Sequence, residues 1–343
     1  MKHRTFAWFI FPTLCAMILF IALPIVSVII QSLFVQHEQV LVVSENCDPF
    51  GCTQSTKIDL EATERLRAGS PLGQFNGLDT YFNRSHLAFA EIGDAWARAE
   101  DLGEFWNEVS NLPFYRALTF TLTYTFFVTP LVLILGLVIA AGVNTLPSLL
   151  KGPSIFISLL PFLVTPLVGS LILFWMVDGD GIIGATIQLI FNDPNLSLKA
   201  STVLTWTMLI VYGVWHTVPF SFIVFYAGLQ TVPSDTLEAA QIDGASKWQR
   251  MIYVTIPHLM PIASFVTLML LMDNFRVFEP IVSFSAEAHA QSLSFMIYSD
   301  LRESGNPLYG SGAATSLLTI IGVVILLTPV LLRTWRDFNR NVH

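Results

Sequence analysis

Two apolar stretches in the second half of the chain hold the residue types able to do chemistry. Residues 201–229 contain Tyr212, Trp215, His216, Thr217, Pro219, Phe220 and Ser221, and residues 258–284 contain Thr267, Asp273, Asn274, Arg276 and Glu279. Ionisable and amide groups at such apolar depth are expensive, so each is a functional candidate by default. Aromatic and amide side chains are what a neutral polyol needs: ring faces cover its C–H surface, and amides and hydroxyls meet its hydroxyl groups. The same residues permit another reading, a self-contained carrier driven by protons through His216, Asp273 and Glu279. A purely structural reading stands beside both: Asp273, Arg276 and Glu279 are spaced i, i+3, so on one helix face they would neutralise one another. His216 would then be a packed, neutral hydrogen-bonding group. No catalytic constellation is present, and no Gly-x4-Gly-Lys-Ser/Thr phosphate loop, so the chain is expected to be no enzyme and to bind no cofactor of its own.

The elements that must position these residues are membrane helices. The chain is 53% hydrophobic and 12% charged, with a mean hydropathy of +0.63, values that exclude a soluble domain of 343 residues. A span takes about 20 apolar residues, and six stretches qualify: 6–34, 114–142, 153–177, 201–229, 258–284 and 312–333. The fold class is therefore an all-α polytopic membrane protein. The net charge of −8 argues against a nucleic-acid partner. With the N-terminus inside, Lys2, Arg4, Lys151, Lys247, Arg250, Arg333, Arg336 and Arg340 fall on the cytoplasmic side, against Lys199 and Arg302 in the short outer loops. Both termini are then cytoplasmic. The organisation reads as a tail and first span (1–35), an outer loop (36–113), a membrane core (114–333) and a cytoplasmic tail (334–343).

The outer loop is acidic, with thirteen Asp and Glu against five Lys and Arg. Cys47 and Cys52, in CDPFGC, are close enough for a small disulfide loop on an oxidising side; free thiols or a metal pair are the alternatives, and no metal site is favoured. Cys15, inside the first span, reads as a small buried apolar residue. Thr119, Thr121, Thr123, Tyr124, Thr125 and Thr129 lie in the second span, where hydroxyls bond back to the preceding turn and serve packing. Pro161 and Pro166 predict a kink in the third. Asp178-Gly179-Asp180-Gly181 lacks the remaining ligands of a calcium loop and reads as a turn.

Pro233 to Pro257 is the longest polar-rich segment between apolar ones. It reads as two short helices joined by a bend, with Asp235 and Glu238 as N-cap and partner, and Gly244 at the bend. Leu237, Ala240, Gly244, Ala245 and Trp248 recur near helical spacing, so one side is small and apolar.

This segment carries a resemblance. Glu238-Ala239-Ala240, then Asp243-Gly244 and Val254-Thr255-Ile256-Pro257, resembles the EAA loop of bacterial ABC importer permeases, and IDGASKWQRMIYVTIP resembles the sugar-type, maltose-permease-like branch. Further similarities are GQFNGLDTYFNRS (73–85), the Pro161/Pro166 element, LSFMIYS (293–299) and YGSGAATS (309–316); residues 36–72 and 86–113 lie outside it. The resemblance implies an ABC type I importer permease fold for a sugar or polyol, in the bacterial inner membrane. It implies a second homologous permease, two ATPase subunits that bind the ATP, and a periplasmic binding protein as partners. Glu238, Ala239, Ala240, Asp243, Gly244 and Pro257 would couple to the ATPase. Pro219-Phe220 and Asn274-Phe275 occupy the places of the family's substrate contacts, so the resemblance implies Phe220 and Asn274 as the leading contacts, with His216, Thr217 and Thr267 next. Asp273 and Arg276 depart from its pattern and leave room for a charged or phosphorylated substrate.

Overall fold

The computed structural model describes residues 3–37, 39–48, 51–302 and 307–341, with backbone alone at 3–5, 7, 44–48, 51–55, 57 and 337–341. In chain order the elements are α1 (His3–Met17), a π-turn (Ile18–Ala22), α2 (Leu23–Gln31), strands β1 (Phe34–Val35), β2 (Leu41–Asp48) and β3 (Gly51–Ile58), α3 (Leu60–Gly69), β4 (Gln74–Phe75), α4 (Asp79–Phe82), α5 (Phe89–Arg98) and α6 (Leu102–Ser110). There follow α7 (Pro113–Asn144), α8 (Ser148–Leu163), α9 (Pro166–Val177), α10 (Ile182–Phe191), α11 (Thr202–Leu229), α12 (Ser234–Ile242), α13 (Lys247–Arg250), a second π-turn (Met251–Thr255), α14 (Ile256–Phe275), α15 (Glu279–Ser283), α16 (Leu293–Arg302) and α17 (Tyr309–Asn341).

Among the described residues six helical stretches are long and apolar enough to cross a membrane: Trp8–Gln31, Pro113–Asn144, Pro166–Phe191, Thr202–Leu229, Lys247–Phe275 and Tyr309–Arg336. Four agree closely with the sequence reading. The third does not, because the expected span 153–177 is divided between α8 and α9. Pro166 disfavours helical backbone at Thr165, and Val164 and Thr165 are extended (ψ 128° and 146°). Its replacement by length, Pro166–Phe191, is itself turned at residues 178–181, where the Gly181 amide bonds the Asp178 carbonyl at 2.8 Å. The fifth span begins and ends earlier than residues 258–284, running from Lys247 through the π-turn to Phe275. Cys15 is exposed on its helix rather than buried, since α1 has no neighbour to cover that face among the described residues.

The chain forms two compact units, Met1–Arg116 with Met296–Ile320, and Ala117–Phe295 with Ile321–His343. In the first, the outer loop adds two small antiparallel pairs to an otherwise helical chain, β1 with β4 and β2 with β3. Phe34 and Phe75, register partners in the former, meet edge to face at 5.5 Å. The Tyr81 hydroxyl donates to Ser32 Oγ at 2.6 Å. His86 is fully buried, with Nδ1 2.9 Å from Asn83 Oδ1 and Nε2 3.1 Å from Thr315 Oγ1 and 3.2 Å from the Ser311 carbonyl.

In the second unit the core is built by α7, α11, α14 and α15, with Phe120, Val128, Leu209, Val266, Leu270, Ile281 and Phe284 almost wholly buried. Lipid tails are as apolar as these side chains, so close packing rather than dehydration must hold the helices together. Small residues permit it: a Cβ on Gly136 of α7 would lie 2.4 Å from Ser221 Oγ, and one on Gly213 of α11 only 2.1 Å from the Tyr124 hydroxyl. Thr121 and Thr125 bond back to Ala117 and Thr121 carbonyls at 2.8 and 2.7 Å, and Thr121 Oγ1 also accepts from the Leu293 amide, which agrees with the packing role read from the sequence.

Candidate functional site

The break between α8 and α9 frees backbone carbonyls, and α11 answers it. Tyr212 and His216, one helical turn apart, stack at 5.8 Å. The Tyr212 hydroxyl donates to the Pro166 carbonyl at 2.8 Å, and His216 Nε2 lies 3.0 Å from the Val164 carbonyl. A carbonyl only accepts, so Nε2 carries the hydrogen and a neutral His216 keeps Nδ1 as an acceptor. The two side chains close the gap that Pro166 opens.

Beside this junction lies a cavity of about 340 Å³, within the range of small-molecule sites, walled by Tyr124, Tyr212, His216, Thr217, Asp273, Asn274, Arg276 and Glu279. His216, Thr217 and Asn274, predicted from the sequence, are brought together here. Asn274 is buried and donates from Nδ2 to Thr129 Oγ1 at 3.0 Å, tying α14 to α7. Phe220 and Thr267 do not line the cavity. Phe220 packs half-buried on the hydrophobic core, and Thr267 turns its hydroxyl back to the Ala263 carbonyl at 2.7 Å. Tyr124 is the wall residue that sequence reasoning assigned to packing alone; a tyrosine amid threonines was its only signal.

The expected charge triad does not share a helix face. α14 stops at Phe275, Arg276 leaves helical geometry (φ −101°, ψ 21°), and Glu279 opens α15. Pro280 suits the stop: it has no N–H for the Arg276 carbonyl, and its ring would clash with that carbonyl in a continuing helix. Asp273 and Arg276 still approach to 3.8 Å, but both side chains are more than half exposed, so the pair is weak. Among the described residues Glu279 makes no ion pair. Earlier in the chain, Asp178 holds Lys199 at 2.5 Å.

The 233–257 segment folds as two helices around a bend. α12 begins at Ser234 with Pro233 at the N-cap position, not Asp235, because the fixed φ and extended ψ (130°) of Pro233 start the helix two residues earlier. Asp235 keeps a place in the first turn, where a carboxylate suits the helix dipole. At the other end the Ala245 amide bonds the Ala240 carbonyl at 3.0 Å and the Gly244 amide bonds that of Gln241 at 3.1 Å, a C-terminal closure that needs a left-handed residue. Gly244 supplies it with φ +80°. A capping box between Ser246 and Gln249, absent from the sequence reading, then starts α13, and Arg250 reaches back to Gln241 Oε1 at 2.8 Å. Glu238, Ala239, Asp243, Ile242, Trp248 and Tyr253 are exposed, Ala240 is half-buried, and Pro257 lies in the first turn of α14. Trp248 does not share the half-buried side of Leu237, Ala240 and Ala245, since the bend at Gly244 resets the helical phase.

Cys47 and Cys52 are register partners across β2 and β3. Their side chains, and with them the expected disulfide, lie outside the described residues.

Membrane-crossing helices around a polar cavity, with an exposed helix–glycine–helix loop leading into one of them, define a membrane transport component. Residues 103–334 match the family described as binding-protein-dependent transport system inner membrane component. The chain belongs to that family, and it is a multi-pass protein of the bacterial inner membrane. It is 29% identical over 221 residues to the multiple sugar-binding transport system permease protein MsmF of Streptococcus mutans, covering 62% of this chain and 74% of that one. It is 26% identical over 276 residues to the sn-glycerol-3-phosphate transport system permease protein UgpA of Shigella flexneri, covering 78% and 83%. A chain from the crystal structure of a bacterial ABC transporter involved in the import of the acidic polysaccharide alginate superposes with a TM-score of 0.57 at 21% identity, covering 76% and 87%. The fold is that of the ABC type I importer permeases.

Proposed function

We propose that this chain is the permease subunit of an ATP-driven, binding-protein-dependent importer for a neutral sugar or polyol. The observation that carries this is the 233–257 loop: two short helices hinged on a left-handed glycine, the second running without interruption into the fifth membrane helix. Such a loop offers an ATPase subunit an exposed handle on the membrane domain. ATP is bound and hydrolysed by two partner subunits, a second permease completes the pathway, and a periplasmic binding protein delivers the substrate. Both termini and the loop lie in the cytoplasm, and the acidic 36–113 segment lies outside. Nucleotide-driven closure moves the loop and shifts the population between inward and outward access.

The cavity supports a hydroxylated ligand. Tyr124, Tyr212 and His216 offer rings for C–H faces, while Thr217 and Asn274 offer hydroxyl and amide. Two carboxylates against one guanidinium favour an uncharged substrate over an anionic one. A proton-driven carrier finds less support, since His216 is engaged with a backbone carbonyl and Asp273 and Glu279 stand on separate helices.

Reconstitution separates the two. The purified chain alone in liposomes should take up no radiolabelled disaccharide under a proton gradient. The assembly with its ATPase, second permease and binding protein should do so only with ATP. Gradient-driven uptake by the chain alone would refute the proposal.

A further inference from the structure

The segment 86–113 has no counterpart in the resemblance read from the sequence, yet it forms a defined unit. α5 and α6 are amphipathic and stand side by side, joined through an edge-to-face contact of Trp96 with Phe105 at 5.2 Å. Phe89 and Trp96 lie one above the other on α5, seven residues apart, and Leu102 and Trp106 do the same on α6. All four are more than half exposed. The opposite faces carry Glu91, Asp94 and Arg98 on α5, and Glu104, Asn107 and Glu108 on α6. A hairpin with one aromatic face and one charged face has a side that water does not suit.

We propose that this hairpin lies flat in the outer headgroup region of the bilayer, its Trp96/Trp106 face turned into the lipid. Its base supports this placement. Only Asn111 and Leu112 separate α6 from membrane helix α7, a reach of about 7 Å. The Tyr115 hydroxyl, in the first turn of α7, donates to the Leu87 carbonyl at 3.0 Å, just before α5. Both ends of the hairpin are thus tied to the start of a membrane helix. Tryptophan prefers this depth, since its ring is apolar and its N–H still reaches water or headgroups. The polar face carries carboxylates and one arginine, so binding rests on apolar contact with zwitterionic lipid rather than on attraction to anionic headgroups.

The test uses the full chain in phosphatidylcholine nanodiscs, with p-acetylphenylalanine bearing a spin label at Leu102, Trp106 or, in a separate protein, Glu104. Collisions with oxygen should exceed those with a water-soluble nickel chelate at positions 102 and 106, with the order reversed at 104. In a second protein, adding Trp96→Glu should release the label at 102 into water, while the chain still enters nanodiscs. If the nickel chelate reaches 102 and 106 as freely as 104, the hairpin does not lie in lipid. If those positions become protected only after a periplasmic binding protein is added, or only in nanodiscs holding two copies, the face is a protein interface and the proposal fails.

Discussion

At Gly244 the structure separates two reasons for a glycine. Its φ of +80° is left-handed, and a Cβ built there meets nothing within 4 Å. Within this chain, then, a side chain costs conformation but no clash. Alanine held left-handed costs roughly 1–2 kcal/mol, offset by about 0.4–1 kcal/mol from a less flexible unfolded chain. The net, up to about 1.6 kcal/mol, shifts the bent loop against alternatives by at most about fifteenfold. Asparagine tolerates this backbone region far better than alanine, yet places a larger side chain in the space beside the bend. If an ATPase subunit occupies that space, Gly244→Asn and Gly244→Asp should uncouple ATP hydrolysis from transport or release the ATPase, Asp more severely because it buries a charge. Gly244→Ala should be milder. If only the backbone matters, the order inverts. Membrane-inserted protein, ATPase co-purification and substrate uptake are measured for all three variants. Full coupling in Gly244→Asn together with loss in Gly244→Ala would refute partner contact at this residue.

Asn274→Ala should lower uptake while leaving assembly largely intact, since it removes one hydrogen bond to Thr129, worth about 1 kcal/mol, and one amide from the cavity wall. Phe220→Ala should instead lower thermal stability in detergent, because its ring packs on the core and not on the cavity; unchanged melting with lost uptake would return Phe220 to the pathway. Burial holds the His86 imidazole below its ordinary pKa, partly opposed by hydrogen bonding to the backbone at Ser311 and Thr80. The unfolded state then binds more protons in the interval below about pH 6.5, so stability is present at neutral pH and falls on acidification. Protection factors around residues 79–88, taken against the intrinsic amide exchange rate at each pH, should be lower at pH 5 than at pH 7.5, and His86→Gln should flatten that dependence. Cys47 and Cys52 should be disulfide-linked, so thiol reagents added to intact spheroplasts without reductant should label neither; modification of either would exclude the bond.

The membrane helices and the 233–257 loop were legible because apolar length and the Glu238–Pro257 string are local properties of the chain. What escaped was set by prolines acting on their neighbours. Pro166 broke one expected span, Pro280 stopped another at Phe275, and Pro233 displaced the cap from Asp235. The cavity was half legible for a related reason. His216, Thr217 and Asn274 are costly residues that announce themselves, whereas Tyr124 reaches the site only because Gly213, on another helix, has no side chain to stop it. Phe220 and Thr267 sit at suitable depth but turn away, and depth alone does not fix the direction of a side chain.

The π-turn at Met251–Thr255 gives the loop a property that a plain helix would lack. One extra residue in a turn rotates everything beyond it by about 100° relative to an unbroken α-helix. The stretch from Lys247 to Phe275 therefore carries two independent azimuths on one rod. Trp248 and Tyr253 point outward at 78% and 75% exposure, while Leu259, Val266 and Leu270 farther on face inward at 2%, 0% and 1%. If a partner subunit pushes on the outward end, one continuous rod joins that push to Asn274, and neither face has to compromise its contacts for the other.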